Sequence, residues 1–462
     1  LEHDLLFERF LNPERVSMPD IDTDIASGIR PILIAYLRWY YGENAVCSIG
    51  TVTTYGAKAA IQLAGRDRAD QLYGNDKEGK RRYLHEVTYP VSDLVPDAPG
   101  TTMESCEQDV LKRIESSDEM MLIWNRAKLI ENCVSGTGIH AGGVIISDND
   151  NVNDYVPLAW NEEKQVWVAQ CDMIKAEEKG LLKMDLLGLN NLDIENQCLH
   201  LIKQYQGIGV DLDTIPFEDE IFTEIYGKGN TNNVFQVESD GMKRMLREFQ
   251  PACFEDIILL VAAYRPGPMQ YLDDVIAVKN GKKKVSYRHP FLEPILSKTY
   301  GAVIYQEQVM QIFQKLAGYS LGSADLVRRA MSKKKIDKLE KERKAFINGD
   351  ADRKIDGCIT RGVDTETAEK IFDEMMEFAK YAFNKSHAAA YSLVSYQTAW
   401  LKYHYPKEYL CALFNLKNQD KYGSVFQDCD LYQIKLLPPD INSSYYDFVL
   451  EGECIRYGLR RL

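Results

Sequence analysis

The sequence predicts an α+β chain. At 462 residues it is too long for one hydrophobic core, and about three domains are expected. Strand-like runs gather at residues 18–25 and again between 133 and 190, whereas the stretch between them and everything from about 191 onward read as mainly helical.

The first strand-like run is Met18-Pro19-Asp20-Ile21-Asp22-Thr23-Asp24-Ile25. Side chains alternate along a strand, so Asp20, Asp22 and Asp24 share one face while Ile21, Thr23 and Ile25 share the other. Crowded carboxylates repel unless protons or oxygen-seeking divalent cations offset them, which makes a metal site the first expectation. An EF-hand loop is excluded, because its sixth and twelfth positions need Gly and Glu and here hold Ile25 and Pro31. A phosphoaspartate enzyme fits poorly, since Asp24 stands where Thr would be needed. A solvated acidic edge strand remains the bland alternative.

Before this run, a short amphipathic helix is expected around Leu5, Leu6, Phe7, Phe10 and Leu11, with Arg9 and Arg15 close to the acids. After it, Ile29 to Tyr41 has an apolar helical stripe ending at Gly42. From Gly56 to Asn132 the pattern is helical and charged, broken by Val95-Pro96-Asp97-Ala98-Pro99-Gly100, and reads as a separate insertion.

Gly136-Thr137-Gly138-Ile139-His140-Ala141-Gly142-Gly143 leads into an apolar strand, Val144-Ile145-Ile146. Glycines of a dinucleotide fingerprint follow a strand and open a helix, so that reading fails; a loop making a close backbone approach to a partner, a nucleic-acid backbone or the base pair, is expected instead. In the strand-like run Gly180 to Leu189, Lys183 and Asp185 fall on one face among leucines. Asp185 either joins Asp22 and Asp24 or forms a plain pair with Lys183.

Further on, Tyr264-Arg265-Pro266-Gly267-Pro268-Met269 is a rigid turn presenting an arginine. Between Lys279 and Lys344 sixteen cations face six acids, which suggests a polyanion-facing surface. Ser323 and Asp325 can open a helix carrying Arg328 and Arg329, which have no acid one turn on and would suit a triphosphate. Asn384-Lys385-Ser386-His387 caps a helix from about Ala388 to His404 whose Tyr391, Tyr396 and Trp400 read as core. Beyond 415 the signals are weak and mixed.

The net charge of −14 argues against a whole surface that binds polyanions indiscriminately, yet leaves room for a local basic cleft. Ten scattered cysteines without a C-x-x-C pair suggest reduced thiols in a cytoplasmic protein and argue against structural zinc. No run approaches 18 apolar residues, so no membrane span is expected. The ends, Leu1 and Leu462, read as those of a piece of a longer protein.

The strings MPDIDTDI, GTGIHAGGVIIS, GLLKMDLLGL, VFQVESDGMKRML, YRPGPM, YQEQVMQI, GYSLGSADLVRRAMSKK and FNKSHAAAYSLVSYQTAWLK, in this order, resemble the successive motifs of the catalytic alpha subunits of bacterial DNA polymerase III, the C-family replicative polymerases. That resemblance implies a nucleotidyltransferase-like mixed-sheet palm in two parts (1–55 and 133–190), an inserted helical thumb (56–132) and a large, mainly helical fingers domain (191–462). It implies template-directed DNA synthesis on primed template DNA with deoxynucleoside triphosphates and two Mg²⁺ ions. Asp22, Asp24 and Asp185 match the metal-binding acids, and Asp20 the motif's leading Asp, which is not among them. Lys183, Arg328, Arg329, Lys333, Lys334 and Arg265 match contacts to nucleotide phosphates; Asn384, Lys385, His387, Gly142 and Gly143 match the lining of the site. Ile25 and Met184 depart mildly, standing where the pattern usually has Phe. The resemblance also implies regions absent here that grip the sliding clamp and other replicase subunits. Two rivals from other classes are a non-catalytic nucleic-acid-binding module and a metal-dependent nuclease or phosphatase.

Overall fold

The computed structural model describes residues 5–10, 12, 21–98, 100–147, 151–332, 336–379 and 381–461, with the backbone alone for 332 and 336–338. The chain divides into two compact units, one spanning 20–188 and the other formed by 1–19 with 189–462.

The first unit is built on a six-stranded mixed sheet. Its strands are β1 (Ile21–Ile25), β2 (Val46–Thr54), β3 (Val134–Ile146), β4 (Leu158–Asn161), β5 (Val166–Ala169) and β6 (Leu182–Gly188), in the order β1-β6-β3-β2-β5-β4. β1 runs parallel to β6, and β6 antiparallel to β3. One face packs on α1 (Arg30–Tyr41) through Val46, Val144 and Leu186, joined by Ile25, Leu33, Ile34 and Leu37. α1 ends at Gly42, whose φ of 106° a side chain would strain. The other face buries Cys47, Ile49 and Ile145 beneath Ala176 and Leu181.

Between β2 and β3 the chain leaves the sheet for five α-helices: α2 (Ala57–Tyr73), α3 (Lys77–Tyr83), α4 (Tyr89–Asp93), α5 (Met103–Ile114) and α6 (Asp118–Ile130). They enclose their own core around Ile61, Val91, Val110, Ile123 and Trp124. Glu119 fastens it, accepting from Arg68 Nη2 at 2.7 Å and Tyr83 Oη at 2.7 Å. The expected helical stretch is thus, among the described residues, five α-helices and one π-helical segment, Leu84–Thr88, with a core of its own.

One expectation fails here. Residues 136–143 are not a loop before a strand; they lie inside β3, the 13-residue strand Val134–Ile146. Glycine weakens a strand only by its entropy and its missing side chain, and cross-strand pairing from Gly50 to Thr54 of β2 holds this one in place.

The second unit is mainly helical around two cores. One surrounds helices Phe254–Ala263, Lys385–His404 and Pro406–Leu416; the other surrounds Gln306–Ala317, Leu321–Ser332 and Thr365–Phe378. A small sheet of Lys435–Leu437, Cys454–Arg456 and Val449–Glu451 follows. The expected N-terminal amphipathic helix is a single 3₁₀ turn, Phe7–Arg9, with Phe7 and Phe10 exposed. Tyr396 and Trp400 are core, as expected. All ten cysteines are free, and no helix among the described residues is long and apolar enough to cross a membrane.

Candidate functional site

The acidic strand places its carboxylates as the period-two pattern predicts: Asp22 and Asp24 are exposed while Ile21, Thr23 and Ile25 are half-buried. Asp22 stands directly opposite Asp185 in the parallel ladder, and Asp24 opposite Leu187. Registered residues of neighbouring strands project to the same face, about 5 Å apart. Asp185 therefore shares the acid face with Asp22 and Asp24. β1 is the edge strand of its sheet, so its charges also discourage strand pairing. Edge protection gives no reason for an acid on β6, one strand in, where Asp185 is only 8% exposed.

Asp185 forms the plain pair with Lys183 while sharing the face of Asp22 and Asp24. Lys183, 6% exposed, donates from Nζ to Asp185 Oδ2 at 2.8 Å. The other oxygen, Oδ1, is buried and has no hydrogen-bond partner among the described residues. As the side chains stand, no group of three or more His, Cys, Asp or Glu among the described residues is gathered closely enough to hold a metal ion. The donor set nevertheless suits a hard cation: three carboxylates on one face, one of them with an orphaned buried oxygen.

β3 borders Asp185 on its other side, with Gly143 as its ladder partner. A Cβ on Gly143 would lie 2.7 Å from Ile49 Cδ1, 2.8 Å from His140 Nδ1 and 3.3 Å from Asp185 Oδ1, so any side chain there must displace its neighbours. Gly142 is similarly closed by Leu187 Cδ2 at 2.7 Å. His140, which falls in the stretch expected to be a loop, accepts the Gly143 N–H at Nδ1 over 2.7 Å and lies 3.8 Å from Asp185 Oδ1. The sequence does carry a signal for this: a polar side chain followed two and three residues on by glycines whose N–H groups can turn back to it.

In the second unit, Arg328 and Arg329 are not the unpaired arginines expected. Asp325, fully buried, accepts from Arg328 Nε and Nη2 at 3.1 and 2.9 Å, from Arg329 Nε at 2.7 Å and from Arg9 Nη1 at 3.1 Å. The partner lies one turn before the arginines, at the i,i+3 and i,i+4 spacing, rather than one turn after. Burial works to raise the Asp325 pKa, but the three arginines outweigh it and hold the carboxyl below the ordinary aspartate value. Arg9, expected beside the acidic strand, is taken up by Asp325 and by Gln306 Oε1 at 2.8 Å. Asp20, Arg15, Lys333 and Lys334 lie outside the described residues.

The excess of cations between Lys279 and Lys344 is also smaller in space than in sequence. Lys279, Lys283, Arg288 and Arg343 pair with Asp256, Asp274, Glu374 and Asp373, all acids from outside that stretch.

Asn384 caps the helix Lys385–His404, accepting from the Ser386 N–H at 2.9 Å, so the helix opens three residues earlier than expected. Lys385 is buried, its N–H donating to Glu307 Oε2 at 2.9 Å and its Nζ 3.3 Å from Glu255. Arg265 is exposed, its guanidinium 3.5 Å above the Phe383 ring, with no carboxylate within ion-pair reach among the described residues. Phe383 meets the His387 ring edge-on at 5.3 Å, and His387 stacks on Tyr391 at 4.1 Å. The structure thus joins Arg265 and His387 through Phe383.

Fold and side chains together define a mixed α/β protein with a carboxylate face on one sheet and a helical unit rich in arginine–carboxylate pairs. Residues 1–188 match the family model described as the bacterial DNA polymerase III alpha NTPase domain, and residues 191–354 the model of the bacterial DNA polymerase III alpha subunit finger domain. The chain belongs to the bacterial DNA polymerase III alpha-subunit family. It is 41% identical over 476 residues to the DNA polymerase III subunit alpha of Pseudomonas aeruginosa and 40% identical over 477 residues to that of Escherichia coli (strain K12), in both cases across 99% of this chain. The Bacillus subtilis (strain 168) protein of the same name is 38% identical over 468 residues, across 100% of the chain. The chain spans 39 to 40% of the length of these relatives.

Proposed function

We propose that this chain is the catalytic part of a template-directed DNA polymerase, which adds deoxynucleotides to a primer 3′-hydroxyl by two-metal nucleotidyl transfer on primed template DNA. The observation that carries this reading is the registration of Asp22 with Asp185, with Asp24 two positions along the same face. The family membership supports it.

In this reading Asp22, Asp24 and Asp185 hold two Mg²⁺ ions. Such ions, when bound, supply activation of the attacking hydroxyl and neutralisation of charge on the departing pyrophosphate. Lys183 balances Asp185 when no cation is present and contacts nucleotide phosphate when one is. Arg329 engages Asp325 through Nε, which leaves its Nη groups to bind the triphosphate; Arg328 spends Nε and Nη2 on Asp325 and holds the pair rigid. Arg265, Lys333 and Lys334 add phosphate contacts, whereas Asn384, Lys385, His387, Gly142 and Gly143 shape the site's walls. Residues 1–55 and 133–190 would serve as palm, 56–132 as thumb and 191–462 as fingers, working in the cytoplasm with the sliding clamp and other replicase subunits.

Primer extension by Asp22→Asn, Asp24→Asn and Asp185→Asn variants of the full-length protein tests this. Each is expected to lose at least about 100-fold in rate. Undiminished extension by all three would end the assignment, and metal-independent nucleotide affinity in the parent would favour a non-catalytic binding module.

A further inference from the structure

β3 carries more chain than its neighbour can match beside Asp185. Ser48 of β2 pairs with Val144 and Gly50 with Ile139, so the four residues His140 to Gly143 stand against Ile49 alone. Such a bulge leaves N–H groups without ladder partners. Here the two nearest Asp185 are satisfied internally, because His140 Nδ1 accepts the Gly142 N–H at 3.3 Å and the Gly143 N–H at 2.7 Å.

That choice of acceptor has a chemical effect. A nitrogen that accepts two N–H groups carries no proton, so at 3.8 Å it cannot donate to Asp185 Oδ1. Lys183 takes Oδ2, and Oδ1 stays buried without a hydrogen bond among the described residues. Without the imidazole, two buried donors would need a new acceptor, and the carboxylate oxygen beside Gly143 is at hand. N–H groups donating to Oδ1 would compete with any cation for its lone pairs.

We infer that His140 is a positioning residue that reserves Asp185 Oδ1 for a divalent cation by capturing the bulge N–H groups of Gly142 and Gly143. The inference rests on the reading that the three acids hold such cations. It concerns Nδ1 and not Nε2, and this makes it separable from a general structural role. An Asn at 140 offers Oδ1 close to where Nδ1 stands and can accept from residues two and three on, as in Asx turns; a Gln offers its oxygen one bond further out.

The test is direct Mn²⁺ binding to the parent chain, Asp22→Asn, His140→Ala, His140→Asn and His140→Gln, followed by electron paramagnetic resonance of free Mn²⁺, with thermal melting as the folding check. His140→Ala and His140→Gln are expected to weaken binding about 10- to 100-fold, and His140→Asn to restore most of it. Unchanged affinity in His140→Ala overturns the inference, as does equal affinity in the Asn and Gln variants, or rescue by Gln alone. Should His140→Ala not fold, the comparison of Asn with Gln decides the same question. A parent chain without Asp22-dependent Mn²⁺ binding would overturn the reading of the acids, a result distinct from loss of His140's role alone.

Discussion

Asp22 and Asp185 are ladder partners on neighbouring parallel strands, and the lysine two residues before Asp185 spends its ammonium on the inner of the two acids. A fixed cation therefore already stands where the proposed function would bring a mobile one.

Replacing Lys183 with Met should expose that equivalence. The variant leaves a nearly buried carboxylate unpaired, a loss of roughly 3 kcal/mol that lowers the melting temperature. Saturating Mn²⁺ is expected to restore more of the melting temperature in the variant than it adds to the parent. Equal shifts in differential scanning fluorimetry would show that metal and lysine do not share Asp185.

Gly143→Ala tests how tightly the strand beside Asp185 is filled. The new methyl would press on Ile49 Cδ1 and displace His140 Nδ1, at about 1–3 kcal/mol. Primer extension is expected to fall at least about 10-fold under conditions where far-UV circular dichroism still reports a folded protein.

The Asp325 cluster predicts an acid-sensitive second unit. Because the folded carboxyl titrates below the ordinary value of 3.8, its stabilisation is complete above that value and is lost as pH falls through the folded one. Asp325→Asn is expected to cost about 3–5 kcal/mol at neutral pH, since three arginines lose a shared buried carboxylate. In urea melts the gap from the parent should narrow below pH 3.8. A gap that stays constant on acidification past that value would place the stabilisation elsewhere.

Glu195 predicts the opposite slope. Burial alone raises its pKa to about 8, and its Oε1 has no hydrogen-bond partner among the described residues. The folded state thus keeps a proton that the unfolded state releases from about pH 4.5 upward, so this residue drains stability as pH rises toward 8 and no further beyond it. Glu195→Gln should leave the melting temperature unchanged near pH 4.5 and raise it at pH 8.

Much of this is legible in the sequence, and the gaps have physical causes. The alternation of Asp22 and Asp24 with isoleucines sets their common face, and Gly42 and Asn384 mark helix ends, because these depend on neighbours within a few residues. The strand Val46–Thr54 does carry a local mark, being rich in valine, isoleucine and threonine, whereas the extension of β3 back to Val134 does not, since glycine and small residues reveal a strand only through the partner that pairs with them. The register of Asp22 with Asp185 is a tertiary fact that no local period encodes. Arg328 and Arg329 look unpaired when only the following turn is considered, while their acid, Asp325, lies in the preceding one. The basic stretch from Lys279 to Lys344 overstates its free charge, because a count along the chain ignores acids such as Asp256 and Asp373 that fold against it.

The parallel pairing of β1 with β6 joins segments about 160 positions apart, with a helical insertion between them. Closing so long a loop is entropically late work, so helices inside the excursion can form well before the acids meet. If the three acids hold cations as proposed, cation capture marks the end of assembly. During synthesis or refolding, Mn²⁺ uptake should lag the growth of helical signal, and a nick anywhere between the two strands should abolish uptake before it erases the helices.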